Sequence, residues 1–141
     1  MAVTRAETLT SSSKKTEYYS DIPNSFAQTP FGNELTKITN EKAITQSIKN
    51  LILTEIGERL FQPNIGSDIT SLLFEQNYRD YSAEIELYIT KTVENFEPRA
   101  QVLQVLFPET FEENSIEITI VYRVINNVEP ITLNLVLKRV R

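Results

Sequence analysis

Apolar residues recur at helical spacing in two stretches of this chain and then alternate strictly along its last third. Ile44, Ile48, Leu51, Ile52 and Ile56 form one stripe, while Lys42, Gln46, Lys49 and Asn50 fall away from it. The spacing predicts a first helix opening near Thr39 or Asn40, either of which can cap it, with Glu41 acidic in its first turn. Gly57 is placed to end that helix as its C′ residue. Ile85, Ile89, Val93 and Phe96 make a second stripe, with Ser82 as the expected cap, Glu84 and Glu86 in the first turn, and Pro98 as the stop. Between the two, Ser67 or Asp68 can open a short helical stretch carrying Ile69, Leu72, Leu73 and Phe74.

Beyond Pro98 the period changes to two. Val102 to Phe107 reads as a strongly apolar strand ended by Pro108. Ile116, Ile118, Ile120, Tyr122 and Val124 alternate with Glu117, Thr119, Val121 and Arg123. After the Asn126-Asn127-Val128-Glu129-Pro130 turn, Ile131, Leu133, Leu135 and Leu137 alternate again. The last two runs predict a long hairpin, Ile116–Val124 against Ile131–Val140. The expected fold class is therefore α+β: two main helices packed on one face of an antiparallel sheet that ends in a C-terminal β-hairpin.

Residues 1–38 break both patterns. Ser11-Ser12-Ser13-Lys14-Lys15-Thr16 is polar and unpatterned, and Pro23 and Pro30 interrupt regular structure. Tyr18, Tyr19, Ile22, Phe26 and Phe31 are nevertheless scattered through the segment. It reads as an extended N-terminal arm, flexible first and surface-bound later, ahead of an α+β domain over residues 39–141.

Composition narrows the chemistry. A chain of 141 residues allows one domain with a modest core, burying roughly 65% of its unfolded surface. It has no cysteine and no histidine, which removes disulfides, thiolate nucleophiles, the usual zinc ligands and Ser-His-Asp arrangements. Three glycines cannot build a phosphate cradle, so neither cofactor nor metal is expected. A net charge of −5 argues against a dedicated nucleic-acid binder. No apolar run approaches the ~20 residues of a membrane span, and no signal-peptide core opens the chain, so a cytoplasmic place of synthesis and no membrane partner are expected.

Any enzymatic activity would fall to carboxylates, and a glycosidase needs one protonated and one ionised carboxyl group about 5–9.5 Å apart. Glu55 and Glu58 flank Gly57, and Glu75 and Asp80 follow the short helix. Against this, Glu41, Glu84 and Glu86 suit helix first turns, Glu117 lies on a polar strand face, and Glu109, Glu112 and Glu113 fall in a loop. None stands in an apolar stretch that would raise its pKa.

Glu97-Pro98-Arg99 marks the change of period and supports two readings. One is punctuation: a proline stop with an arginine near the negative end of the helix dipole. The other is a docking point, where proline fixes the backbone and arginine offers a planar five-donor fork to a carboxylate or carbonyl. Glu58-Arg59 reads mainly as a loop pair whose arginine can satisfy helix-end carbonyls. The last strand is a third candidate, since a terminal hairpin leaves an edge open to strand addition. Lys138, Arg139 and Arg141 there either protect that edge or select an acidic partner strand.

Ile48-Lys49-Asn50-Leu51, Gly57-Glu58-Arg59, Phe61-Gln62-Pro63, Gly66, Leu73-Phe74-Glu75 and Phe96-Glu97-Pro98-Arg99 occur in one order and spacing. Together they resemble the small baseplate wedge proteins of contractile phage tails, a group that includes a subunit of type VI secretion baseplates and has often been labelled lysozyme-like. The resemblance covers about residue 40 to the C-terminus and, more faintly, Tyr19-Ser20-Asp21-Ile22. It implies a non-enzymatic assembly role in the virion tail baseplate, built in the host cytoplasm. In that family the motif here formed by Glu97, Pro98 and Arg99 docks on the helical core bundle of the wedge. The C-terminal β region is similar to a sheath subunit's interaction module and starts sheath polymerisation by strand exchange. The corresponding sheath-facing residues here are Ile131, Leu133, Leu135, Leu137, Lys138 and Arg139. Gly57, Arg59, Phe61, Pro63 and Gly66 match the family's structural loop. Leu60 departs from a usual proline and Ile65 from a usual aromatic.

The expected partners are thus wedge-core proteins and the tail sheath protein, with several copies in a six-fold baseplate and a monomer when alone. The arm is expected to strap onto neighbouring wedge proteins. The alternative is a tail-associated glycosidase that cleaves peptidoglycan, and a third class is a free-standing binding module.

Overall fold

The computed structural model describes residues 18–72, 81–108, 115–125 and 127–138. Along the chain these form β1 (Ser20–Asp21), β2 (Ile38–Thr39), α1 (Glu41–Leu53), α2 (Ile69–Leu72), α3 (Ser82–Phe96), β3 (Ala100–Leu106), β4 (Ser115–Val124) and β5 (Pro130–Lys138). β3, β4 and β5 make an antiparallel sheet in that order, and β1 pairs with β2. This is the α+β arrangement that the change of hydrophobic period predicts.

One face of the sheet carries the core. Ile116, Ile118, Ile120, Tyr122 and Val124 of β4 and Leu133, Leu135 and Leu137 of β5 are buried beneath Ile44, Ile48 and Ile52 of α1 and Ile85, Ile89 and Val93 of α3. Four-residue spacing on each helix lines its apolar side chains along one ridge, and each fully buried Ile contributes about 1.5–3 kcal/mol. Tyr122, fully buried, places its hydroxyl 2.7 Å from Thr45 Oγ1 of α1, a polar tie between sheet and helix. The opposite sheet face is polar and solvated: Thr119 Oγ1 donates to Asn134 Oδ1 and Arg123 Nη2 to Gln101 Oε1. The hairpin register runs from Ser115 opposite Lys138 to Arg123 opposite Pro130.

Local details differ from the sequence expectation for identifiable reasons. α1 ends at Leu53, with Thr54 as its C-cap, so Gly57 is not its C′ residue and Ile56 lies outside the helix, 58% exposed. The Asn50 carbonyl accepts from Thr54 N–H and Thr54 Oγ1, and the Ile52 carbonyl accepts from buried Ser67 Oγ at 2.6 Å. Those bonds close the helix before Gly57 is reached. Ser67 is therefore a helix-end partner and not the cap of α2. At α3 the cap position is Tyr81, with no side-chain bond, and Ser82 is the first helical residue.

β3 is less buried than its apolar sequence predicts. A register shift between Val102 and Gln104 inserts Leu103, and Leu103 and Leu106 remain 49% and 42% exposed. The bulge interrupts the alternation, so in β3 only Ala100 and Val105 are buried.

The described part of the arm folds back on its own domain. Asn24 N–H donates to Gln46 Oε1, Gln46 Nε2 donates to the Ile22 carbonyl, and Asn24 Nδ2 donates to Asn50 Oδ1. Polar side chains of α1 hold the arm, while Tyr18, Phe26 and Phe31 stay outside at 66%, 68% and 102% exposure. Residues 18–38 thus lie along their own domain with these three rings turned outward. The stretch 1–17, including the polar Ser11–Thr16 run, lies outside the described residues.

Candidate functional site

The site is built where α3 hands over to β3. Glu97 is the C-cap of α3; its N–H donates to the Val93 carbonyl, and its own carbonyl accepts from Ala100 N–H at 3.0 Å. That closes a turn with Pro98 in the second position, where a fixed φ is favourable. Ile125 N–H then donates to the Arg99 carbonyl, tying the turn to the end of β4.

The side chains do not stand side by side awaiting a partner. Arg99 Nε donates to Glu97 Oε1 at 2.5 Å and Arg99 Nη2 to Glu97 Oε2 at 2.6 Å, a bidentate pair. Glu97 is 2% exposed, whereas the Arg99 side chain is 39% exposed. Glu97 is thus an internal counter-ion, and only the arginine faces outward. Two of the five guanidinium N–H donors are committed to it, and the remainder of the fork can serve a partner.

Electrostatics follow from this geometry. Burial pushes the Glu97 carboxyl upward, but hydrogen bonds from Arg99 and Ser47, with the Arg99 charge, outweigh it and hold the group below its ordinary value. The Glu97 bond raises the Arg99 guanidinium further above its ordinary range despite partial burial. Ser47 comes from α1, so the motif is braced by a second element. A third brace is the arm: Arg99 Cζ lies 5.1 Å from the centre of the Tyr19 ring. Ser47 and Tyr19 were not legible as members of this site, since neither stands near residue 97 in sequence.

The other candidate residues are scattered around the fold. In the loop after α1, Gly57 N–H donates to the Pro63 carbonyl and Gln62 N–H to the Arg59 carbonyl. Gly66 has φ +146°, and a Cβ there would lie 2.7 Å from the Thr54 carbonyl oxygen, so glycine is required for the close approach. The Arg59 side chain is exposed, and Thr54 and Ser67 serve the helix-end carbonyls in its place. Leu60 and Phe61 project at 91% and 97% exposure.

On β5, Leu133, Leu135 and Leu137 point into the core and Ile131 packs against it. The three leucine side chains are taken up by the core, while Ile131 is half-buried. Among the described residues no strand pairs with the outer side of β5, and Thr132, Asn134 and Val136 lie on the solvent face. The Lys138 backbone pairs with Ser115, and Arg139 and Arg141 lie outside the described residues.

For carboxylate chemistry, Glu55 and Glu58 are both exposed, and the Glu58 carboxylate accepts from Glu55 N–H at 3.1 Å. Glu75 and Asp80, like Leu73, Phe74, Glu109, Glu112 and Glu113, lie outside the described residues. Among the described residues the buried carboxylate is Glu97, and it is held ionised. A general acid needs the opposite shift.

Comparison with known proteins bears on this geometry. The sequence pattern of the family described as baseplate wedge protein gp25 matches residues 39–129. The chain belongs to that family. The gp25 baseplate wedge protein of Enterobacteria phage T4 is 28% identical over 113 residues, covering 80% of this chain and 85% of its own. Among solved structures, a Geobacter sulfurreducens protein provisionally named a tail lysozyme superposes with a TM-score of 0.65 at 26% identity. That match covers 72% of this chain and 92% of the other. A chain of the anti-feeding prophage baseplate, solved with six-fold symmetry, shares the fold with a TM-score of 0.60 at 19% identity, covering 84% and 83% of the two chains. The family match spans α1 to the turn before β5, so it contains the whole Glu97-Arg99 joint.

Proposed function

We propose that this baseplate wedge protein is a structural subunit of a contractile tail, held on the wedge core through Arg99 and presenting β5 to the first ring of sheath. The observation that carries the docking half is the self-paired joint. Glu97 neutralises and orients the arginine from within, leaving an exposed fork whose remaining donors suit a carboxylate or helix-end carbonyls of the core bundle. The sheath half rests on the outer edge of β5, which favours strand addition through the backbone. Its location would be the tail baseplate, in several copies around a six-fold axis.

Co-expression with the wedge-core subunits of the same tail tests the docking half. Arg99→Lys keeps a positive charge beside Glu97 but loses the fork, so the folded protein should co-purify at about tenfold lower affinity. Co-purification at wild-type affinity would falsify the anchor.

The likeness to a protein provisionally named a tail lysozyme supports a second reading, peptidoglycan cleavage. The ionised state of Glu97 and the exposure of Glu55 and Glu58 weigh against it. Loss of muralytic activity in Glu55→Gln tails that assemble normally would favour the enzyme.

A further inference from the structure

The docking fork has a second support that the joint itself does not supply. Asn40 stands between the arm and α1 with φ +50° and ψ −117°, a backbone region that a residue with a Cβ rarely adopts. Its side chain does not cap α1. Instead Asn40 Oδ1 accepts from Tyr18 N–H at 2.9 Å and Tyr19 N–H at 3.3 Å, while its own N–H donates to the Tyr19 carbonyl at 2.8 Å. The adjoining β1–β2 pairing sets Ser20 opposite Thr39 and Asp21 opposite Ile38. Tyr19 is thereby held by two hydrogen bonds through its own backbone and is half-buried, and its ring lies at Arg99. The other aromatic rings of the arm lie exposed, so Tyr19 is the one that the fold has placed.

We propose that Tyr19 is a positioning residue for docking: the arm, latched at Asn40, holds the Tyr19 ring against the Arg99 guanidinium and keeps the fork in one orientation. Glu97 sets the near side of the fork, and Tyr19 limits its swing about the pair. The arm's described stretch thus belongs to the docking site of its own subunit. This deepens the docking reading above and rests on it. The group recognised remains an oxygen acceptor, a carboxylate or a helix-end carbonyl.

The experiment uses the full chain and two readouts. The first is the Arg99 Nε–H signal by nuclear magnetic resonance in the free protein; the second is affinity for the co-expressed wedge-core subunits. Tyr19→Phe keeps the π face and should behave as wild type in both. Tyr19 also packs against the core, so Tyr19→Leu should broaden or shift the Nε–H signal and weaken docking about two- to fivefold in molecules that remain folded. Asn40→Gly relieves the backbone conformation but removes the acceptor, so it should keep or raise the melting temperature while reproducing the Tyr19→Leu docking loss. In an Arg99→Lys background, Tyr19→Leu should cost little more. An Arg99→Lys protein with wild-type affinity would overturn the docking reading itself. Normal Nε–H signals in Tyr19→Leu, or the same docking loss with and without Arg99, would overturn the positioning role alone.

Discussion

The joint after α3 and the outer edge of β5 offer a partner opposite kinds of chemistry. At the joint a charged side chain is exposed, and the fold has already satisfied most of what surrounds it. Glu97 and Tyr19 converge on Arg99 while Ser47 braces Glu97, three elements in all, so little remains to be ordered when a partner arrives. At β5 the apolar side chains are consumed by the core, and the backbone edge is what remains. The first surface selects by geometry of acceptors. The second selects by strand register and tolerates many side chains. In the proposed role, one surface would hold the protein at a fixed place and the other would template a repeating neighbour.

The comparison is most severely tested by truncating a β5 leucine. Leu135→Ala removes a fully enclosed side chain and should destabilise the domain by about 2–5 kcal/mol, read from chemical denaturation. Molecules that stay folded should still dock normally. A variant that lost sheath addition without losing stability would mean that Leu135 faces a partner and not the core.

Next in size is the joint. Arg99→Ala strands a buried carboxylate and should cost about 1–3 kcal/mol, less than a fully buried pair because water reaches the exposed arginine. Arg99→Lys should cost under about 1 kcal/mol, since an ammonium still neutralises Glu97. Equal stability losses in the two variants would contradict the counter-ion role.

Acid separates the two regions by titration. Glu97 is held below its ordinary value of 4.5, so its contribution is present above that pH and is lost as pH falls through the lower folded value. Stability measured from pH 6 downward should therefore fall below about pH 4.5, and Glu97→Gln should flatten that fall. The β5 edge has no part in it. A Glu97→Gln protein with an unchanged acid profile would remove Glu97 as the source.

The smallest expected effect on stability is at the edge. Val136 is 53% exposed on the solvent face, and Val136→Lys should change stability by no more than about 0.5 kcal/mol. Charge on an edge strand opposes pairing, so polymerisation of sheath on assembled baseplates should slow markedly. Unimpaired polymerisation would take the edge out of the reading.

Much of this architecture is legible in residue order. Ile44, Ile48 and Ile52, and then Ile85, Ile89 and Val93, announce their helices, and the alternation from Ile116 onward announces the hairpin, whose register the structure supplies. Composition turns attention from catalysis to assembly, and the Glu97-Pro98-Arg99 motif stands out at the change of period. The ends of elements are less legible. Gly57 looks like a helix stop, but α1 closes earlier because Ser67, fifteen residues from Ile52, supplies the missing donor. Val102–Phe107 looks uniformly buried, but a bulge at Leu103 breaks its alternation.

The residue order by itself determined the main helices, the C-terminal strands, their class and the position of the joint, though not the β1–β2 pair, because hydrophobic period and proline geometry act over a few neighbours. Only the tertiary structure decided what the joint presents. Glu97 became an internal counter-ion because α1 brings Ser47 to it and burial makes its pairing with Arg99 necessary. Tyr19 joined the site because Asn40 folds the arm back over a separation of some eighty residues from Arg99, a contact that no local pattern encodes.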